Sequence, residues 1–298
     1  VSAAPWPAPA KLNLFLHVTG RREDGYHELE TLFQLVDVAD EILIEVRGDG
    51  RIERPDGPVG VPADSDLVVR AARLLRAEAG RDDLGATLRV TKRIPMGAGL
   101  GGGSSDAATT LVALNTLWGL GLSTSALAHL GLSLGADVPV FVRGENAIAR
   151  GIGEQLEPVA LPPRAYAVIF PGVPVATREV FQAPELTRNS APITIPGFPL
   201  PGVAGAALPG RNDLEPVVAA RHPAVRAALD WLGARAPARL TGSGACVFAP
   251  FGDRAAAVAA LADLPATWTG FAAVGLHSSP LLARVAAEGS GGRSADRR

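Results

Sequence analysis

The stretch IPMGAGLGGGSSDAATTLVALNTLW, residues 94–118, decides how this chain is read: five glycines fall between Gly97 and Gly103, followed by two serines, an aspartate and an apolar run. Glycine loses more backbone entropy on folding than any other residue, so such a cluster weakens a fold unless the backbone must take shapes that a side chain blocks. Beyond it, Ala107, Leu111, Leu114 and Trp118 recur at helical intervals, and Ser104, Ser105 or Asp106 is expected to cap that helix. Ahead of it, ATLRVTKRIP (86–95) reads as a strand. Strand, glycine loop and helix start form an order suited to anions, because the first amides of a helix lack internal partners and carry the positive end of its dipole. The expectation is a phosphate cradle made of Pro95, Met96, Gly97, Ala98, Gly99, Leu100, Gly101, Gly102 and Gly103, with Ser104 and Ser105 adding hydroxyls for phosphate oxygens or a magnesium ion.

Better-known glycine loops fit poorly. Gly97, Gly99 and Gly102 satisfy G-x-G-x-x-G, but no Asp or Glu lies between Ala107 and Ala136 to meet a dinucleotide's ribose. The P-loop pattern fails because Gly103, not lysine, follows Gly102, and the H-R-D and D-F-G signatures of protein kinases are missing.

Composition narrows the partners. The chain has 298 residues, 47% of them hydrophobic, enough for one large domain or two lobes, and 28 Lys+Arg against 30 Asp+Glu leave a net charge of -2. That balance gives no global field for nucleic acid or an anionic membrane, so small molecules are the expected ligands. A single cysteine, Cys246, permits no internal disulfide and is read as a small buried apolar residue, and the five histidines show no zinc spacing. The N-terminus lacks a basic patch followed by an apolar segment, and no uncharged run reaches the roughly 18 residues of a membrane span. A reducing, cytoplasmic setting and a monomer or weak dimer are expected.

AKLNLFLHVTG (10–20) alternates, placing Leu12, Leu14, Leu16 and Val18 on one face and Lys11, Asn13, Phe15 and His17 on the other, with Lys11 and Asn13 about 6.6 to 6.8 Å apart along a strand. GYHELETLFQLVDVADEILIEV (25–46) suggests a second and a third strand. DSDLVVRAARLLRAEAG (64–80) is helical, capped by Asp64 or Ser65 and stopped at Gly80, and a further helix capped by Ser123 or Ser125 ends at Gly135. RAYAVIFPG (164–172) opens a second lobe, with the boundary near 158–163. There the segment from about Thr187 to Gly210 is Pro- and Gly-rich and aperiodic, HPAVRAALDWLGA (222–234) and DRAAAVAALADL (253–264) are helices, and ARLTGSGACVFAPF (238–251) is strand, glycine turn, strand. The expected divisions are 1–160, 161–284 and a disordered tail at 285–298, and no repeat appears.

PMGAGLGGGSSDAA (95–108) resembles the phosphate-binding motif of the GHMP small-molecule kinases, which include galactokinase, homoserine kinase and mevalonate kinase. PAKLNLFLHVTGRREDGYHELETLFQ (9–34), LGADVPVFVRG (134–144) and RLTGSGACVF (239–248) are similar, in order and separation, to the branch whose acceptor is the diphosphocytidyl methylerythritol of the non-mevalonate isoprenoid route. The likeness runs from about Pro5 to Leu282. It implies a two-lobed α+β kinase that uses ATP and magnesium, with its site between the lobes.

Residue by residue, the resemblance implies a role for Asp137, otherwise an ordinary turn or cap aspartate, beside the acceptor hydroxyl. The pKa gap between an alcohol and a carboxylate, worth roughly 15 kcal/mol, makes full deprotonation before attack implausible, so a carboxylate there orients the hydroxyl and collects its proton late. Lys11, by default a solvated strand lysine, then becomes its catalytic partner, and Asn13 an orienting hydrogen bond. Tyr26 and Phe181 are implied as stacking faces for cytosine, His27 as its hydrogen-bonding partner and Thr177 as a substrate contact. Lys92, before the loop, can reach nucleotide or substrate, and Gly242 and Gly244 make a second turn whose amides can meet phosphate, a plain hairpin turn being the alternative. A mevalonate-route or homoserine kinase is the competing reading within the family. A catalytically dead binding protein is the reading outside it, although such a protein is expected to have lost Lys11 or Asp137.

Overall fold

The computed structural model describes residues 4–193 and 208–295. Strands β1 (Trp6–Arg21) and β2 (His27–Arg47) form a long antiparallel ribbon. The 25–46 segment is therefore one strand rather than two. No Gly or Pro interrupts His27–Arg47, and the aspartates that mimic a turn are consumed elsewhere: Asp37 accepts from the Val274 amide, and Asp40 from the amides of Arg93 and Ile94.

The alternation expected for β1 breaks midway. Asn13 pairs with Phe33 and Leu16 with Thr31, so three residues on β1 span two on β2. This bulge moves Leu16 and Val18 onto the face of Lys11 and Asn13.

Strand β2 is the spine of the first sheet. Besides β1, its C-terminal half pairs with β4 (Gly85–Thr91), which carries β3 (Ile52–Asp56) in parallel, and its N-terminal half pairs with β5 (Ala147–Gly151), followed by β6 (Gln155–Pro158). Helices α1 (Leu67–Ala79), α2 (Gly102–Leu117), α3 (Thr124–Leu132) and α4 (Val138–Arg143) cover this sheet, with Trp6, Ile42, Leu75, Leu111, Leu114 and Phe141 in one core. Helix α1 is capped by Asp66, which accepts from the Val68 amide, and not by Asp64 or Ser65; Gly80 ends it in the left-handed region as expected. Ser123 caps α3 through the Ala126 amide.

A second, antiparallel sheet follows in the order β10–β7–β9–β8, built from β7 (Ala165–Phe170), β8 (Arg239–Leu240), β9 (Val247–Phe251) and β10 (Thr269–Val274). Helices α5 (Thr177–Gln182), α6 (Glu215–Arg221), α7 (Pro223–Gly233) and α8 (Arg254–Ala260) belong to this half, and its core includes Val180, Val218, Leu232 and Ala257. The chain closes with α9 (Pro280–Ala295), which returns to the first core through Leu281 and Val285. The segment from 285, expected to be disordered, is thus helical to Ala295, and its last three residues lie outside the described residues. The middle of the Pro- and Gly-rich segment, 194–207, lies outside them too. Among the described residues no helix is long and apolar enough to cross a membrane.

A third core joins the halves: Leu12, Phe15 and Leu32 of the β1–β2 ribbon pack with Tyr166, Val168 and Phe248 of the second sheet. Because each fully buried large apolar side chain contributes about 1.5–3 kcal/mol, this seam binds the sheets into one cooperative body. Phe248, fully buried and edge-on to Tyr166 at 5.8 Å, is its centre. Phe248→Ala is expected to cost about 3–5 kcal/mol in chemical denaturation while keeping a single transition. Two separate transitions in the unmodified protein would refute the coupling.

Candidate active site

A cleft of about 550 Å³ opens between the halves, floored by the glycine loop and walled by the middle of β1 and the first part of β2. Lys11 and Asn13 project into it from β1 and are only 3% and 2% exposed. A buried ammonium is tolerated only when its three donors are met. Lys11 Nζ donates to Asn13 Oδ1 and to the Gly99 carbonyl at 3.0 Å, and stands 3.3 Å from Asp137 Oδ2. It is far from the solvated lysine that its strand position suggests. Asn13 is fixed in turn: its Nδ2 donates to Thr31 Oγ1 at 2.8 Å and its amide to Thr241 Oγ1 at 3.0 Å.

Asp137 occupies the residue before α4, yet its side chain caps nothing. Its carboxylate is 32% exposed on the cleft side of Lys11. The cap reading therefore fails; Asp137 lies in the turn that leads into α4, and its side chain lines the cleft.

The glycine loop is pinned on both flanks. The Lys11 amide donates to the Leu100 carbonyl at 3.0 Å on one side, and on the other the Cys246 amide donates to Ala98 O at 3.0 Å and the Ala245 amide to Gly97 O at 3.3 Å. Gly99 takes φ +75°, and a Cβ there would lie 2.2 Å from the Thr241 carbonyl oxygen; one on Gly101, at φ +74°, would strike the Phe141 ring at 2.8 Å. The glycines thus let two backbones and a ring close on one another. Gly101, left-handed, sends the chain straight into α2 at Gly102, so Ser104 and Ser105 lie inside the first turn, Asp106 lies just beyond it, and none of the three caps the helix. No side chain caps this helix, and its first amides face the cleft that Gly102, Gly103 and Ser104 line.

Lys92 lines the cleft, but its ammonium is held by Asp40 and by Asp106 at 2.6 Å. Burial disfavours its charge, yet Asp106 and Asp40 together raise its pKa above the usual lysine value. Burial, reinforced by Asp40 against the pull of Lys92, pushes Asp106 up to about 7. Asp106 Oδ1 and Ser105 Oγ are buried without a hydrogen-bond partner. Cys246 is fully buried and burial pushes its thiol pKa up, consistent with a packing residue.

At the far end, Thr177 and Phe181 of α5 line the cleft, and Thr177 Oγ1 lies 2.6 Å from Ser243 Oγ in the second glycine turn. The His27 ring packs on Phe181 with centroids 5.1 Å apart and planes 31° apart. Its Nε2 accepts from Arg188 Nε at 3.1 Å, and burial, then Arg188 and Arg21, lower its pKa. Tyr26 is 61% exposed.

Of the residues singled out from the sequence, Lys11, Asn13, Lys92, the loop from Pro95 to Ser104, Asp137, Thr177, Phe181, Gly242 and Gly244 come together around the cleft. Tyr26, His27 and Ser105 do not line it. Sequence reasoning took Asp106 only as a cap candidate and gave no role to Asp40, Thr31, Thr241, Ser243 or Arg188. Thr241 and Ser243 stand beside the glycines of TGSG and were legible there as hydroxyls on the same turn.

The fold and this loop define a class. The model for the GHMP kinases N terminal domain matches residues 66–145 and that for the GHMP kinases C terminal matches 204–270. The chain belongs to the GHMP kinase family. It is 56% identical to the 4-diphosphocytidyl-2-C-methyl-D-erythritol kinase of Alkalilimnicola ehrlichii, over 95% of this chain and 94% of that one, and 56% identical to the same-named protein of Halorhodospira halophila, over 93% and 94%. A crystal structure of 4-(cytidine 5'-diphospho)-2C-methyl-D-erythritol kinase superposes with a TM-score of 0.76 at 37% identity, covering 91% of this chain and 98% of that one.

Gly99→Ala is expected to lower unfolding free energy by more than about 1 kcal/mol and to weaken binding of a nonhydrolysable ATP analogue. At Gly103 a Cβ would meet only Leu67 Cδ1 at 3.4 Å, so Gly103→Ala is expected to leave stability unchanged or raise it. Chemical denaturation and calorimetric titration of both variants check the contrast.

Proposed function

We propose that this chain transfers the γ-phosphoryl group of ATP to the 2-hydroxyl of 4-diphosphocytidyl-2-C-methyl-D-erythritol, the compound named in its relatives, as a step towards isoprenoid precursors by the non-mevalonate route. The observation that carries the reading is the Lys11–Asp137 pair at 3.3 Å beside the pinned glycine loop. GHMP kinases take the phosphoryl group from ATP, and the uncapped start of α2 offers its amides to the phosphates.

In this reading the acceptor oxygen attacks the γ-phosphorus and forms the new P–O bond as the bond to the β-phosphate oxygen breaks and ADP leaves. The transition state is loose and asks chiefly for alignment and charge stabilisation. Asp137 holds the acceptor O–H by hydrogen bond and takes its proton late. Lys11 holds that carboxylate in place, and its charge offsets the negative charge on the transferring group. Asn13, held by Thr31 and Thr241, keeps the ammonium from swinging away. Among the described residues no group of three or more His, Cys, Asp and Glu gathers as a metal site. A phosphate-bound magnesium needs only one or two protein oxygens, and the Ser104 hydroxyl and the unpartnered Asp106 Oδ1 fit that demand. They would hold the ion, which neutralises charge on the β- and γ-phosphates when bound; Ser105, sunk out of the cleft, is less well placed.

The acceptor end supports a pyrimidine nucleotide. Phe181 gives an aromatic face beside Thr177, His27 lies against it, and Tyr26 is free to close from the solvent side. A mevalonate- or homoserine-type acceptor has no base to meet these rings. With the reading go lobes at 1–160 and 161–284, a cytoplasmic setting consistent with a lone buried thiol, and a monomer or weak dimer.

Coupled ADP-release assays should show turnover with 4-diphosphocytidyl-2-C-methyl-D-erythritol and none above background with mevalonate, homoserine or galactose. Preference for any of the latter would overturn the assignment. Asp137→Asn keeps the shape without the charge and is expected to lower kcat by about 10²–10⁴-fold with acceptor affinity within a few fold. Unchanged turnover would remove Asp137 from the chemistry.

A further inference from the structure

Arg188 stands out because all of its hydrogen bonds converge on the acceptor end. Its Nη2 donates to the carbonyls of Phe181 at 3.0 Å and Ala183 at 2.6 Å, its Nη1 to Leu186 O at 3.0 Å, and its Nε to His27 Nε2 at 3.1 Å. Three main-chain acceptors around the end of α5 lock the guanidinium plane, and a fourth donor, Nε–H, is aimed at a ring nitrogen. Arginine has five donors and no acceptor, and it stays protonated in proteins. Whatever faces its Nε must therefore present a lone pair. His27, 8% exposed and packed against Phe181, can do so only with Nε2 unprotonated.

We infer that Arg188 is a positioning residue for base selection: it fixes His27 as the Nδ1–H tautomer, so that the ring offers a single donor to the pyrimidine and favours cytosine over uracil. The inference rests on the cytidine reading above and adds to it the atom that discriminates. Cytosine carries an unprotonated N3, an acceptor, whereas uracil carries N3–H in the same place; a ring held with its proton on Nδ1 satisfies the first and opposes the second. Were the tautomer free to exchange, His27 could turn an acceptor towards uracil, and the preference would weaken. The contacts to Phe181, Ala183 and Leu186 also tie the stacking residue to the hydrogen-bonding one, so both are set by one side chain. A neutral His27 agrees with the depression of its pKa by burial, Arg188 and Arg21.

The test uses the full-length enzyme with 15N-labelled histidine and three forms: unmodified, Arg188→Gln and Arg188→Lys. Long-range 15N–1H correlation spectra should show His27 as Nδ1–H in the unmodified protein and as a mixture of tautomers in Arg188→Gln. The ratio of kcat/KM for the cytidine substrate to that for its uridine counterpart should fall at least about tenfold in Arg188→Gln, the size expected from losing one charge-assisted hydrogen bond, with the KM for ATP unchanged. Arg188→Lys keeps the charge without the fork and should fall between the two; it carries the test if thermal unfolding shows that Arg188→Gln has lost its fold. An Nε2–H tautomer in the unmodified protein, or a C-to-U ratio unmoved in either folded variant, overturns the proposal while leaving cytidine recognition standing. An unmodified enzyme indifferent to the base overturns cytidine recognition and this proposal together.

Discussion

The glycine loop holds its shape only because two pieces of chain, one on each side, hold its carbonyls. The amide of Lys11 takes Leu100, and those of Ala245 and Cys246 take Gly97 and Ala98. A loop this rich in glycine is otherwise the least ordered part of a chain, since each glycine has the most freedom to lose. Pinning it turns that liability into a surface of fixed amides ready for anions, with no reorganisation left for the moment of reaction. The same bonds that order the loop also bring β1 and the second glycine turn within reach of each other. The site's polar centre is thus a by-product of ordering its floor.

Lys11 is where that arrangement becomes chemistry. It is buried to a degree that lysine seldom reaches, and it is tolerated because Asn13, Gly99 and Asp137 take its three donors. One of these partners is rigid backbone, one is the side-chain amide of Asn13, which Thr31 holds while Thr241 holds the main-chain amide of the same residue, and Asp137 is the more open of the two side chains. The ammonium is therefore fixed from behind and free to work on one side. Lys92 shows the opposite solution: a cation shared by two carboxylates, tying β2 to the N-terminal part of α2.

Much of this was legible in the sequence, and the misreadings have local causes. The glycine loop announced itself, because so many glycines are out of place for packing alone, whereas Lys11 and Asp137 read by themselves as a solvated strand lysine and a turn or cap aspartate and drew a site role only from the family resemblance. The single strand β2 was taken for two because 25–46 is long and rich in β-formers with turn residues at its ends, and nothing local shows that Asp37 and Asp40 accept from distant amides and leave the strand unbroken. The bulge that swings Leu16 onto the cleft face falls at Leu14-Phe15-Leu16, three apolar residues in a row, and the alternation of Leu12, Leu14, Leu16 and Val18 masked that interruption. The caps of α1 and α2 were placed a residue or more away from where the chain puts them, while Ser123 was placed correctly on α3, since several adjacent residues can accept an amide and only tertiary packing chooses. Arg188 was invisible for a plainer reason: its meaning lies in carbonyls, and carbonyls are the same in every sequence.

The pins on the glycine loop are also far apart along the chain: Thr241, whose hydroxyl reaches the Gly99 carbonyl, lies 142 residues downstream of it. During synthesis the first sheet and its helices can assemble while the loop still lacks one of its two flanks. At a few residues to a few tens of residues per second, that leaves roughly ten to thirty seconds in which the growing polypeptide has a nucleotide pocket in outline only. An emerging chain of this design acquires nucleotide binding late, when the hairpin carrying TGSGAC has left the ribosome, so premature termination before that hairpin yields a partly folded and catalytically silent fragment.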